Sequence, residues 1–214
     1  MFNQFSNLIS NEKRERIKRL IKLDDVNRIL IGDLLVRSLI CEKYKINNDE
    51  IKFVYNKHRK PFVKNFSDFH FNISHSGEWV VCITANSNVG IDIEKISEID
   101  ALKLAQEFFS EEEFHDLSNI NSDEQISYFF DLWTLKESYI KTIGKGLYIP
   151  LNSFSIKKEA QNSISYKNIP RNFHFRQYNI EPNYKMSACA TLDELPKEII
   201  IKDIYIICQN INKF

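Results

Sequence analysis

The chain has 214 residues, of which 43% are hydrophobic and 27% charged, and its 29 Lys plus Arg are balanced by 29 Asp plus Glu. That is enough apolar material for one large domain or two small ones packed together, and too much for a disordered chain. A zero net charge argues against a general nucleic-acid binder, which needs surplus cations, and no stretch is long and apolar enough to span a bilayer. Taken in order, residues 11–23 are charge-rich, with Ile17, Leu20 and Ile21 at helical spacing. Asp24 and Asp25 are placed to cap a second helix running to about Tyr44. Strands are then predicted over 51–55, 69–73, 79–84 and 89–93. Helices return over 101–108, at a capping box from Ser110 to Glu113, and at a second one from Ser122 to Gln125. The last of these should run to a C-cap at Gly144. The tail reads as strands over 154–156, 173–178, 184–191 and 199–207. Helices followed by strands, twice over, indicate an α+β protein of two similar-sized lobes, 1–99 and 100–214.

The four cysteines, Cys41, Cys82, Cys189 and Cys208, form no CxxC pair, so a structural zinc site is not expected. Residues 1–5 lack the basic start and apolar run of a signal peptide, and a reduced cytoplasmic setting is the expectation.

Chemistry concentrates in four segments. In Val89-Gly90-Ile91-Asp92-Ile93-Glu94, strand alternation puts Asp92 and Glu94 on one face and Ile91 and Ile93 on the other. Two carboxylates side by side suit Mg²⁺, which takes a few carboxylates plus water and substrate phosphates; a solvated strand edge is the plainer alternative. In the helix around Trp133, the residues Trp133, Lys136, Glu137, Ile140 and Lys141 share a stripe. Glu137 can complete a carboxylate set with Asp92 and Glu94, and Lys141 can meet a phosphate; the plainer alternative is an i,i+4 salt bridge between them. Phe71-Asn72-Ile73-Ser74-His75-Ser76-Gly77 reads as a strand ending in a polar turn with a phosphate-binding character. Basic residues Lys13, Arg14, Arg16 and Arg28 and the loop His58-Arg59-Lys60-Pro61 would gain a common purpose from a ligand with several phosphates. P-loop, dinucleotide-binding and serine-hydrolase elbow motifs are absent, and His70, His115 and His174 have no ligand spacing.

The order N-I-S-H-S, G-I-D-I-E, F-F-S-E-E-E-F and W-T-L-K-E-S-Y-I-K-T-I-G-K-G-L resembles the Sfp-type 4′-phosphopantetheinyl transferases, from about Ile9 to about Leu195. The resemblance implies a monomer of two α+β lobes related by a pseudo-two-fold, with coenzyme A in the cleft between them and an apo acyl or peptidyl carrier protein as acceptor. Asp92, Glu94 and Glu137 match the acids that bind Mg²⁺, with Mn²⁺ as the alternative ion, and Lys141 matches a lysine on the CoA pyrophosphate. Catalysis then falls to Glu137, Lys141 and Asp92. Ser74 and His75 match residues at the 3′-phosphate, and Lys13, Arg16 and Lys60 match basic positions around the nucleotide phosphates. Arg28 and Lys136 join them as candidate CoA contacts. The carrier is expected beside the cleft near 110–121, where Phe108, Phe109, Phe114 and Leu117 read first as core residues. Two departures stand out. The family loop G-K-P is here Arg59-Lys60-Pro61, and the extended segment that precedes the first helix in relatives is almost missing. The latter implies an N-terminal lobe without an edge strand or a late start. The rival readings are a metal-dependent phosphodiesterase on the same acids, and a degenerate CoA- or carrier-binding relative.

Overall fold

The computed structural model describes residues 2–159 and 163–213. Its first half comprises α1 (Phe2–Phe5), α2 (Asn11–Lys18), α3 (Leu23–Tyr44), β1 (Phe53–Tyr55), β2 (Pro61–Val63), β3 (His70–Ser76) and β4 (Trp79–Ala85). Strand β5 (Val89–Lys95) follows, then α4 (Ala101–Phe108), α5 (Glu111–Ser118), α6 (Ser122–Ile143), β6 (Ser155–Lys158), β7 (Ile164–Lys167), β8 (His174–Tyr178), β9 (Tyr184–Ala190) and α7 (Ile204–Ile211). The halves repeat one order: a 22-residue helix, a short hairpin, a longer antiparallel pair. The expected α+β architecture of two lobes is what the chain adopts.

Strand β5 decides how the halves meet. It precedes the expected lobe boundary at residue 99, yet it is hydrogen-bonded along its length to β9, giving the sheet order β5-β9-β8. Its odd face (Val89, Ile91, Ile93) joins Met186, Ala188 and Ala190 of β9 in a core shared with Ile83 of β4. Its even face is covered by α6. A Cβ on Gly90 would lie 2.2 Å from the Ser138 carbonyl oxygen and 2.5 Å from the Thr142 nitrogen, so only glycine lets the helix backbone settle there. That close approach brings Glu137 and Lys141 over Asp92 and Glu94.

Four expectations are corrected. Residues 199–207 are not a strand: Asp203 caps α7 through the Tyr205 N–H, and Ile207, Cys208 and Ile211 pack against α3. Its apolar residues have helical spacing, which a run rich in isoleucine disguises. Ser74, His75 and Ser76 continue β3, and the turn begins at Gly77, whose φ is +55°. Helix α2 stops at Lys18, leaving Leu20 and Ile21 outside it and exposed. The box at Ser110–Glu113 forms as expected, whereas α6 is preceded by Asn121 without a side-chain cap. The four cysteines are unpaired, and among the described residues no helix is long and apolar enough to cross a membrane.

Candidate active site

Alternation and helix pitch together build one cleft. From β5 come Asp92 and Glu94, from α6 Trp133, Glu137 and Lys141, and from β3 Ser74 and His75. Glu107, Phe108, Ile149, Pro150 and Leu151 extend it as a largely apolar wing. Its volume, about 800 Å³, is in the range of small-molecule sites.

Asp92 is the centre of the polar end. It is 3% exposed; its Oδ1 accepts from Ser74 Oγ at 2.9 Å and from Lys141 Nζ at 2.5 Å. Its Oδ2 is buried without a hydrogen-bond partner. Lys141 Nζ also donates to Ser74 Oγ at 3.0 Å, so the ion pair of Lys141 is with Asp92 rather than Glu137. Burial raises the Asp92 pKa against the opposing pull of Lys141. Glu94 and Glu137 are raised as well, first by burial and then by the charge on Asp92. Three acids that each resist ionisation in one cleft constitute a site short of positive charge. Among the described residues no group of three or more His, Cys, Asp or Glu side chains is close enough to hold a metal ion by itself.

His75 lies exposed at the rim. Partial burial of its imidazole, then the charges of Arg28 and Lys141, lower its pKa. Arg28 donates to the Gly77 carbonyl at 2.9 Å and is paired with Asp25; it lies near His75 but, against expectation, does not line the cleft. The acids and Lys141 form the floor, and His75 stands at the rim.

A family described as the 4′-phosphopantetheinyl transferase superfamily matches residues 88–190, and one described as 4′-phosphopantetheinyl transferase, N-terminal, matches residues 1–87. The 4′-phosphopantetheinyl transferase Sfp of Bacillus subtilis (strain 168) is 42% identical over 198 residues, 92% of this chain and 88% of its own. The 4′-phosphopantetheinyl transferase gsp of Aneurinibacillus migulanus is 44% identical over 203 residues, 94% of this chain and 84% of its own. The chain belongs to the 4′-phosphopantetheinyl transferase family.

Not every residue expected in the site of this transferase is found there. Lys136 is wholly buried on the far side of α6, where its ammonium donates to Glu113 at 2.6 and 2.7 Å and to the Phe154 carbonyl at 2.8 Å. It has no face toward the cleft and is a core ion pair, not a CoA contact. Lys60 is similarly committed. Its Nζ donates to the carbonyls of Val89, Lys141 and Thr142, at 3.2, 2.6 and 3.2 Å, and burial pulls its pKa down to about 8. It joins the 56–60 loop to the C-terminus of α6 instead of presenting a charge to phosphates. Lys13 pairs with buried Asp33 at 3.2 Å, and Arg16 is exposed on α2; neither lines the cleft.

The stripe read from sequence therefore splits: Trp133, Glu137 and Lys141 face the cleft, Lys136 and Ile140 the core. Phe109 and Leu117 are core, as expected, whereas Phe108 lines the apolar wing. Sequence reasoning missed Glu107 and the Ile149–Leu151 wall, which carry no local signal. It grouped Ser76 with Ser74 and His75 as a phosphate-binding turn, whereas the Ser76 hydroxyl donates to Glu94.

Proposed function

We propose that this protein transfers the 4′-phosphopantetheine arm of CoA to a serine hydroxyl of an apo acyl or peptidyl carrier protein, releasing 3′,5′-ADP, with a divalent cation at Asp92, Glu94 and Glu137. The carrying observation is the buried, unpartnered Oδ2 of Asp92 between two further acids of raised pKa, under the Lys141 ammonium. An orphaned carboxylate oxygen at such a depth is costly unless something positive meets it. Three carboxylates lining one cleft suit Mg²⁺ by their chemistry, since that ion needs few protein ligands and keeps water and substrate phosphate oxygens. When bound, Mg²⁺ supplies neutralisation of charge on the pyrophosphate.

The chain's own residues account for the rest. His75, at the rim, receives the 3′-phosphate end of the nucleotide, with Arg28 near it. Lys141 is held by Asp92 and Ser74 at the depth of the acids, where its fixed charge stabilises the negative charge that develops on the leaving 3′,5′-ADP. The apolar wing of Phe108, Trp133 and Leu151 takes the pantetheine arm and sheds water. The carrier serine oxygen bonds to the β-phosphorus as the bond to the bridging oxygen breaks. Glu137 is the carboxylate that receives the serine proton. A monomer in the cytoplasm goes with this reading; a cleft built from one chain is compatible with the first, and CoA as donor supports the second.

The test is intact-mass analysis of an apo carrier protein incubated with this protein, CoA and Mg²⁺. A gain of one phosphopantetheine, lost with EDTA, is expected. A gain that survives EDTA would remove the cation from the reading, and no gain on any of several carriers would remove the transfer.

A further inference from the structure

Strand β5 is satisfied by backbone on one edge only. Its other edge presents the N–H groups of Ile91, Ile93 and Lys95 toward β3, and each needs an acceptor. No β3 carbonyl supplies it; side chains do. Asn72 Oδ1 accepts from Ile91 N at 2.9 Å, Ser74 Oγ from Ile93 N at 3.4 Å, and Ser76 Oγ from Lys95 N at 3.0 Å. Both strands repeat every two residues, so an N-x-S-x-S series on one runs in step with alternate amides of the other.

The chemistry of the three differs in a way that follows their partners. A hydroxyl has one proton and two lone pairs, so it can accept from an amide and still donate. Ser74 donates to Asp92 and Ser76 donates to Glu94 Oε2, each at 2.9 Å. Opposite Asn72 the corresponding position is Gly90, which has no carboxylate, and an acceptor suffices. Serine thus stands where there is an acid to aim, and asparagine where there is none. Asp92 has a second anchor in Lys141. Among the described hydrogen bonds, Ser76 is the one that reaches the Glu94 carboxylate, a longer side chain with one more torsion to fix.

We propose that Ser76 is a positioning residue of the cation site: its hydroxyl ties the Glu94 carboxylate to the edge of β5, and with Asn72 and Ser74 it registers the acid-bearing strand against the N-terminal half. This rests on reading Asp92, Glu94 and Glu137 as the site of a divalent cation. Ser76 does not touch substrate; it acts through Glu94.

The experiment measures Mn²⁺ binding to the full chain by titration calorimetry, for the parent, Ser76→Ala, Ser76→Thr and Glu137→Gln, together with thermal midpoint and the KM for CoA at saturating Mg²⁺. Hydrogen-bond partners of metal ligands commonly tune affinity by ~10-fold or more. Ser76→Ala is expected to weaken Mn²⁺ binding by about 10-fold, and to raise by a similar factor the Mg²⁺ needed for half-maximal transfer. Ser76→Thr, which keeps the hydroxyl, should recover most of that loss, and the KM for CoA should change less than about threefold. Unchanged Mn²⁺ affinity in Ser76→Ala overturns the proposal. So does a Thr variant no better than Ala, or a loss of Mn²⁺ affinity that merely follows a fall in thermal midpoint and in CoA affinity, since that describes a seam between halves and no more. Failure of the parent to bind Mn²⁺ is a different result: it brings down the cation site itself, and the role of Ser76 with it.

Discussion

The two halves are built from the same parts and do different work. Each has a 22-residue helix that ends on a left-handed residue, Lys45 in α3 and Gly144 in α6. Each helix buries an ion pair, Arg37 with Asp33 in one and Lys136 with Glu113 in the other. The long hairpin of the first half, β3-β4, stands alone, whereas that of the second, β8-β9, gains β5 as a third strand. That added strand carries two of the three acids and lies between the halves, bonded to one by backbone and to the other by side chains. A repeated scaffold thus becomes an asymmetric site at the element the repeat does not share. The C-terminal half brings Glu137 and Lys141; the N-terminal half brings His75 at the rim and the hydroxyls that aim the acids.

That division can be broken from either side. The largest effect is expected in the C-terminal half: Glu137→Gln should lower transfer by about 10³-fold with circular dichroism and thermal midpoint unchanged. A folded Glu137→Gln protein of near-parental rate would remove the acid from the chemistry. Next, Lys136→Met leaves Glu113 buried without its counter-charge and should cost about 3–5 kcal/mol in denaturant unfolding, while CoA affinity of the folded fraction holds. Weakened CoA binding with intact stability would instead return Lys136 to the cleft. Gly90→Ala forces a Cβ into the α6 backbone and should cost about 1–3 kcal/mol, with transfer falling further than stability because Glu137 and Lys141 shift together.

The N-terminal half should respond in affinity rather than rate. The His75 pKa is lowered in the free protein, and a phosphate beside it would raise it, so CoA binding takes up a proton. Affinity for CoA should therefore rise as pH falls from about 8 toward 6, by up to about 10-fold for a one-unit change in pKa. His75→Ala should flatten that dependence in calorimetric titrations; an unchanged slope would clear the rim of its role. The smallest effect is at Arg59, held at φ +66° in the 56–60 loop. Asn56 braces this turn by accepting from the N–H groups of His58 and Lys60, at 2.9 Å each. Arg59→Gly should stabilise by about 0.5–1 kcal/mol through relief of the left-handed backbone, read as a small rise in denaturation midpoint. A loss of stability would mean that the Arg59 side chain contributes more than its backbone costs.

Much of the site is legible in the order of residues, because it obeys local periodicity. Alternation along β5 puts Asp92 and Glu94 on one face, and helix pitch puts Trp133, Glu137 and Lys141 four residues apart on one stripe. The Ser110–Glu113 box marks a helix start, and Gly144 a helix end, through local hydrogen bonding and backbone sterics. These relations span a few residues, so the succession of residue types carries them. What periodicity does not decide is which partner each charge finds. Lys136 and Lys141 lie on one helix, and only the packing of α6 against β5 and β6 sends one into the core to Glu113 and the other to Asp92. Lys60 is drawn to three carbonyls far along the chain, and residues 204–211 become a helix because α3 offers a surface for Ile207 and Ile211. Sequence by itself determined most of the elements and the chemical inventory of the cleft. The tertiary structure decided the assignments within it, since desolvation and charge pairing depend on distances that close only when residues far apart in the chain are brought together.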